Sequence, residues 1–321
     1  MTASPRPTGK TNASVSPELA IGAALGSVIC VETGAALGKG LFEQIPSLSV
    51  SWLRFTFATV VLLVLQLVTA SVRRARHRPV QSKTPINRTT MLALAGYAVA
   101  LVCMNTSFYL AIQTIPLGIA VTIEYLGPLT VAILGSRGRL DLLWAVLAGF
   151  GVLLLGFRPA GLHLQGVVLA LVAACCWGSY IKLGARARQY WRGSDLVTAA
   201  CALGTVALAA PGIHGGGSAL WTPGVLAIGL CVGVFSSVLP YRLDIVALGR
   251  IAPNVFSILQ SLAPAAAAIA GWLLLGEILG ITDWIALASV AIASAGATIT
   301  STAREHRLLA SSQHPGAAAK G

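Results

Sequence analysis

An acid and a proline in one apolar run mark the part of this chain best suited to chemistry. Glu124 stands near the centre of residues 115–136, and Pro128 follows one helical turn later. A carboxylate at mid-bilayer costs on the order of 3 kcal/mol, so an acid retained in a membrane segment indicates function. Because proline has no N–H, the Glu124 carbonyl loses its helical partner. One turn therefore offers an ionisable side chain and a free backbone acceptor.

The same arrangement recurs in the second half of the chain. Gln260 precedes Pro264 by four residues within the apolar run 252–269, and a proline also opens each run, at Pro116 and Pro253. Helices broken at matching points of two repeats are the best sequence indicator of a transporter's binding site. We therefore interpret the chain as an internal duplication, with its two mid-run prolines acting as hinges or as static kinks.

Lys182, Glu32 and Arg54 are further ionisable residues within apolar runs. Lys182 is close to the end of its run, so its long side chain can reach the interface. Glu32 and Arg54 lie deeper, at matched depth in the first two runs. A bilayer requires such charges to pair. We expect a Glu32–Arg54 pair, which either clamps the fold or contacts substrate.

Glu124 could exchange a proton for the ammonium group of a substrate. The alternative is a permanent hydrogen bond from this carboxyl to neighbours such as Asn105 or Tyr109. Polar and aromatic residues of other runs could line the same cavity, although each alone is more often a packing residue or an interfacial anchor. These candidates are Asn105, Tyr109, Trp177, Ser179, Tyr180, Tyr241 and Gln260.

The composition is that of a membrane protein. The 321 residues are 56% hydrophobic and only 10% charged, with a mean hydropathy of +0.80, whereas soluble domains carry about 25% charged residues. The net charge of +12 could indicate a nucleic-acid partner. However, the cations lie in short loops between apolar runs and form no basic, aromatic-interleaved face, so no nucleic-acid partner is expected.

The sequence contains few residues that would indicate a cofactor site, a metal site or an enzyme. All six cysteines lie inside apolar runs and read as small hydrophobic residues, while the five histidines fall in loops or the C-terminal tail. No disulfide, metal site or cofactor is expected. A membrane enzyme acting on lipid is the third functional class considered. It is disfavoured because the chain has no nucleophile elbow, zinc-protease motif, ATP loop or paired aspartates.

The apolar runs predict an all-α membrane protein of about ten transmembrane helices, in two sets of five. We expect a disordered tail over residues 1–18, repeats over 19–157 and 158–302, and a second tail over 303–321. The predicted spans are 19–38, 48–70, 91–111, 116–135, 140–157, 164–183, 195–211, 223–240, 253–275 and 281–301. Some of these spans are marginal in length, and the span at 140–157 is among the shortest.

The distribution of Lys and Arg predicts the orientation. With the N-terminus inside, the outer loops hold only Lys39 and Arg158, and nearly all other cations fall inside. Both termini are then cytoplasmic. Because each half has an odd number of spans, the two halves have opposite orientations and form an inverted repeat.

The pentapeptide GAALG occurs twice in the first span, at 22–26 and 34–38. Its GxxxG spacing lets another helix approach closely. Packing within the chain is favoured over the alternative, a homodimer contact.

Several motifs together resemble one known family. They are ALGKGLF at 36–42, QTIPLGIAV and EYLGPL within 113–129, LPYRLDIVAL at 239–248 and LGE at 275–277. With these motifs the chain resembles the drug/metabolite transporter superfamily with paired EamA-type repeats, and within it the bacterial threonine/homoserine exporter branch. The resemblance implies ten helices, cytoplasmic termini and export of small amino acids across the plasma membrane by proton antiport. The alternative is efflux of a drug or another small metabolite by the same alternating-access mechanism.

Overall fold

The apolar runs fold as helices. The computed structural model describes residues 17–75, 86–134, 139–155 and 163–313, and within these ranges all regular structure is helical. The α-helices are α1 Pro17–Gly40, α2 Ser47–Ala75, α3 Arg88–Ala111, α4 Leu117–Glu124, α5 Leu126–Leu134, α6 Arg139–Leu155, α7 Leu164–Ala187, α8 Gly193–Ala207, α9 Ala209–Gly216, α10 Pro223–Gly233, α11 Leu239–Leu248, α12 Pro253–Gln260, α13 Ala263–Leu275 and α14 Ile281–Gln313.

Eight segments of the described residues are long and apolar enough to cross a membrane. The bent pair α8–α9, with 54° between its parts, makes up to nine, and a shorter apolar helix covers Leu142–Leu154. This last helix lies in the predicted span 140–157, which is among the shortest. The all-helical membrane architecture is therefore confirmed, whereas the count of ten and the inverted arrangement stay predictions.

Both proline-containing spans are interrupted close to the predicted points. The first breaks at Tyr125, between α4 and α5, and the second breaks at residues 261–262, between α12 and α13. Pro264 lies in the first turn of α13, where a missing N–H costs least. The breaks are fixed features of the backbone, and the role of Pro128 and Pro264 as hinges stays a prediction.

A third interruption separates α10 from α11. Residues Val234–Val238 form a π-helical turn, and Pro240 follows in the first turn of α11. Insertions of this kind are frequent at functional sites. A proline here also removes the N–H that would bond the carbonyl four residues earlier, that of Ser236.

The second GAALG of α1 packs inside the molecule. A Cβ atom added to Gly34 would collide with Ser236 of the π-helical turn, and one added to Gly38 would lie 2.7 Å from the Tyr109 ring. The preference for packing within the chain is thus confirmed for this pair. In the first GAALG, a Cβ atom on Gly22 meets nothing within 4 Å.

The outer surface of the bundle is apolar. On α6, for example, Leu142 and Leu153 are each 68% exposed. Large aliphatic side chains that point away from the protein are suited to lipid tails. At the C-terminal end α14 runs to Gln313, beyond the predicted end of the last span at residue 301. The first 16 residues and residues 314–321 of the two predicted tails lie outside the described residues.

Candidate functional site

A cavity of about 100 Å³ lies between helices of both broken and unbroken spans; we refer to it as the central cavity. It brings together five of the predicted residues, which come from α1, α2, α3, α4 and α7: Glu32, Arg54, Asn105, Glu124 and Trp177. The charged and polar residues of its wall are Glu32, Arg54, Asn105 and Glu124, and the others are Val31, Ala35, Met104, Phe108, Val121, Tyr125 and Trp177.

The two acids of the central cavity are removed from water. Glu32 is 4% exposed and Glu124 is 8% exposed. Glu124 is the last residue of α4, so its side chain stands where the helix breaks. The Oε2 atom of Glu32 is buried and has no hydrogen-bond partner. A buried carboxyl oxygen without a partner is costly unless a proton or a ligand cation satisfies it.

Arg54 is held by the second half of the chain. Its Nη2 donates to the Ser236 carbonyl at 3.0 Å, and its Nε donates to the Ser237 hydroxyl at 3.5 Å. The Ser236 carbonyl is available because Pro240 lacks an N–H. Arg54 forms no direct ion pair with Glu32 within 4.0 Å, although both line the cavity. The predicted pair therefore shares one cavity without forming a salt bridge.

Tyr125 links the two broken spans. Its hydroxyl donates a hydrogen bond to the Gln260 carbonyl. That carbonyl lacks its helical partner because Pro264 has no N–H. The Tyr125 ring also packs edge-on against Trp177, with 4.9 Å between ring centroids. Gln260 thus contributes a backbone oxygen to the site, and its side chain is not part of the cavity wall.

The predicted tyrosines lie outside the cavity wall. Tyr109 is fully buried, and the Arg54 guanidinium lies 5.7 Å from its ring centroid. The Tyr109 ring therefore packs against a residue of the cavity wall without lining the cavity itself. Tyr180 stacks on Tyr97 in a separate cluster, and their hydroxyls are 2.9 Å apart. Tyr241 lines a different, larger cavity. The positions of these rings depend on helix packing, which a sequence pattern does not reveal.

A charged cluster not foreseen from the sequence closes one end of the bundle; we refer to it as the Lys39–Glu277 clasp. The Lys39 Nζ lies 2.6 Å from the Glu277 Oε1 and donates to the Ile115 carbonyl at 2.8 Å. Glu277 Oε2 accepts the Leu117 N–H at 2.8 Å. This N–H begins α4 and has no partner within the helix, so the carboxylate caps the helix and complements its dipole.

A cavity of about 330 Å³ lies toward the other end; we refer to it as the arginine cavity. Its basic residues are Arg74, Arg192 and Arg242, and Asp195 is its acid. Helix α2 begins with Ser47 at the end of the bundle that the clasp closes, and Arg74 lies near its other end. The 27 helical steps from Ser47 to Arg74 span about 40 Å, at about 1.5 Å per residue. The two features thus mark opposite ends of the bundle.

Broken apolar helices around a cavity with buried acids are typical of membrane transporters. Among the described residues no group of His, Cys, Asp and Glu could hold a metal ion.

The profile of the EamA-like transporter family matches residues 18–157 and again residues 164–299. The chain belongs to this family. The threonine/homoserine exporter RhtA of Salmonella typhimurium strain SL1344 is 37% identical over 273 residues, which cover 84% of this chain and 88% of the exporter. RhtA of Escherichia coli strain K12 is 37% identical over 277 residues, with the same coverage of both chains. Since this family is one of transporters, the prediction of a transporter rather than an enzyme is confirmed.

A solved structure described only as the crystal structure of a protein shares the fold. It superposes with a TM-score of 0.61 at 17% identity and covers 90% of this chain and 100% of its own. At this identity the likeness concerns the fold alone.

Proposed function

We propose that this chain exports small amino acids of the threonine/homoserine type from the bacterial cytoplasm, by exchange for protons. The observation that carries the proposal is the central cavity, which holds two buried acids and a half-buried guanidinium. The 37% identity to the RhtA exporters supports the substrate class. An amino acid offers a carboxylate, for which Arg54 is a partner, and an ammonium, for which Glu124 is a partner.

In this proposal Arg54 attracts the substrate carboxylate. The Ser236 carbonyl and the Ser237 hydroxyl fix the guanidinium, which retains further N–H donors for a ligand. Glu124 receives either the substrate ammonium or a proton. The two cations compete for the same carboxylate, so release of one accompanies binding of the other, and this competition couples the two flows.

Alternating access requires a closed end and an open end that exchange roles. The Lys39–Glu277 clasp supports closure on the outer side, because it ties α1, the start of α4 and the loop before α14 together. The arginine cavity supports an entrance on the cytoplasmic side. Glu124 ends the helix that the clasp caps, about 10 Å along it from Leu117. Opening of the clasp would therefore release the start of the helix that carries the proton-binding acid.

We further propose the inverted-repeat arrangement, with halves near 19–157 and 158–302 and both termini in the cytoplasm. The two family matches and the helix breaks at Tyr125 and 261–262 support a duplication. The grouping of Arg74, Arg192 and Arg242 at one end supports the orientation, since cytoplasmic ends of membrane proteins are rich in Lys and Arg.

Efflux of a drug or another small metabolite is the second candidate. It is favoured by the aromatic part of the cavity wall, Phe108, Tyr125 and Trp177. The small cavity volume of about 100 Å³ favours the smaller of the two substrate classes, the amino acid.

Growth of a sensitive bacterial host with excess threonine or homoserine distinguishes the two. We expect the chain to confer resistance to both amino acids, and Glu124→Gln to abolish it at equal protein level. Resistance to a lipophilic cation without any effect on threonine or homoserine would instead support the second candidate.

A further inference from the structure

The central cavity contains one more acid than the export of a neutral amino acid requires. Arg54 and Glu124 together match the carboxylate and the ammonium of a zwitterion, and Glu32 is the additional carboxyl. We propose that Glu32 is a specificity-determining residue that binds a second cationic group on the substrate. The substrates would then be small diamino acids, with a side-chain ammonium one or two carbons from the α-carbon. This inference rests on the proposed function.

Glu32 is presented to the cavity without a partner. Its side chain is 4% exposed, its Oε2 atom has no hydrogen bond, and it lines the same wall as Glu124. Ionised groups that leave water require a partner charge and hydrogen bonds. Within the described residues no group forms a hydrogen bond with this oxygen or an ion pair with Glu32, so a proton or a ligand cation is left to satisfy it.

Neither nearby cation forms a direct ion pair with Glu32. The Arg54 guanidinium is bonded to Ser236 and Ser237 and makes no direct ion pair with Glu32. The Lys39 ammonium, further along the same helix α1, is bonded to Glu277 and to the Ile115 carbonyl. Among its described residues, the cavity wall thus holds one basic residue, Arg54, and two acids, Glu32 and Glu124.

The net charge of the cavity side chains then indicates the charge of the preferred ligand. With Glu32 and Glu124 ionised, the charged side chains of the cavity sum to −1. A neutral amino acid leaves this charge unchanged, whereas a diamino acid carries +1 and brings the sum to zero. In a site of low dielectric constant an uncompensated charge is costly, so the diamino acid is favoured.

The size of the site agrees with a short side chain. Its volume of about 100 Å³ suits a ligand no larger than threonine or homoserine. Homoserine and 2,4-diaminobutyrate have the same number of non-hydrogen atoms and differ only in a hydroxyl replaced by an ammonium. This pair of probes isolates the second positive charge.

The test is competitive counterflow in proteoliposomes that contain the full chain. Labelled homoserine uptake is inhibited by unlabelled homoserine or by unlabelled 2,4-diaminobutyrate. We expect the wild type to favour 2,4-diaminobutyrate by about 10- to 100-fold, the range that a hydrogen bond to a charged group provides. Glu32→Gln should remove this preference, measured as the ratio of the two inhibition constants within that variant. Glu32→Asp should retain the preference, and Glu43→Gln, at an exposed acid outside the cavity, is the matched control.

A wild type that prefers homoserine overturns the inference without the need for any variant. An unchanged preference in Glu32→Gln also overturns it. Both results leave the proposed export of amino acids intact. If the wild type takes up neither probe nor threonine, the proposed function itself fails, and this inference fails with it.

Discussion

Breaking the Lys39–Glu277 clasp should open the end of the bundle that it closes. The variant Glu277→Gln keeps an oxygen that can accept the Leu117 N–H but loses the negative charge that faces Lys39 at 2.6 Å. It also loses the favourable interaction of a carboxylate with the first turn of α4. The closed-outside conformation is then destabilised, while an open conformation, in which these groups are separated, is not.

The burial of the pair sets the size of this effect. The two side chains are 18% and 14% exposed. Exposed ion pairs contribute about 0–1 kcal/mol, and breaking fully buried ones costs about 3–5 kcal/mol. An intermediate loss of about 2 kcal/mol changes the ratio of closed to open forms roughly 30-fold.

A cysteine in the cavity wall reports this shift. Ala35→Cys, in a background without the six native cysteines, is labelled with a membrane-impermeant maleimide in right-side-out vesicles. We expect Glu277→Gln to label at least about ten-fold faster than the parent, and Glu43→Gln, an exposed acid at the same end, to label at the parental rate. Lys39→Met should be nearly non-additive with Glu277→Gln, since both remove one interaction. Equal labelling rates in Glu277→Gln and the parent would refute the role of the clasp.

Two further predictions concern the backbone. Pro264→Ala restores an N–H that competes with the Tyr125 hydroxyl for the same carbonyl, so counterflow in proteoliposomes should slow several-fold while substrate affinity is retained; an unchanged rate would exclude a hinge role. Gly127→Val places a side chain against the Ala174 carbonyl, where even a Cβ atom collides, so fluorescence size-exclusion chromatography should show a large loss of folded protein. Gly22→Val, in open space, is its control, and equal yields would contradict the packing.

The features predicted correctly from the sequence are those with a local cause. Proline removes one N–H wherever it stands, so the breaks next to Pro128 and Pro264 follow from the sequence. Charges within apolar runs must face the protein interior, so the shared cavity of Glu32, Arg54 and Glu124 also follows. The two acids of the cavity, Glu32 and Glu124, could be identified from the sequence. The absence of a direct Glu32–Arg54 salt bridge could not.

The features that the sequence did not reveal depend on contacts between distant parts of the chain. Lys39 and Glu277 lie near opposite ends of the sequence, and only helix packing brings them together. Tyr180 and Tyr241 were candidates because they are aromatic, but amphipathic rings are suited to many positions. Tyr125 gave no signal of its own, because its role depends on the carbonyl that Pro264 leaves free.

Transport by purified protein in proteoliposomes with an imposed pH gradient tests the coupling role of Glu124 most directly. The wild type should accumulate labelled homoserine or 2,4-diaminobutyrate against its gradient, in the compartment from which protons leave. Glu124→Gln cannot hold a proton on this side chain, so it should lose accumulation entirely. Accumulation by Glu124→Gln equal to that of the wild type, at matched protein density, would contradict the assignment of Glu124 as the group that exchanges proton for substrate.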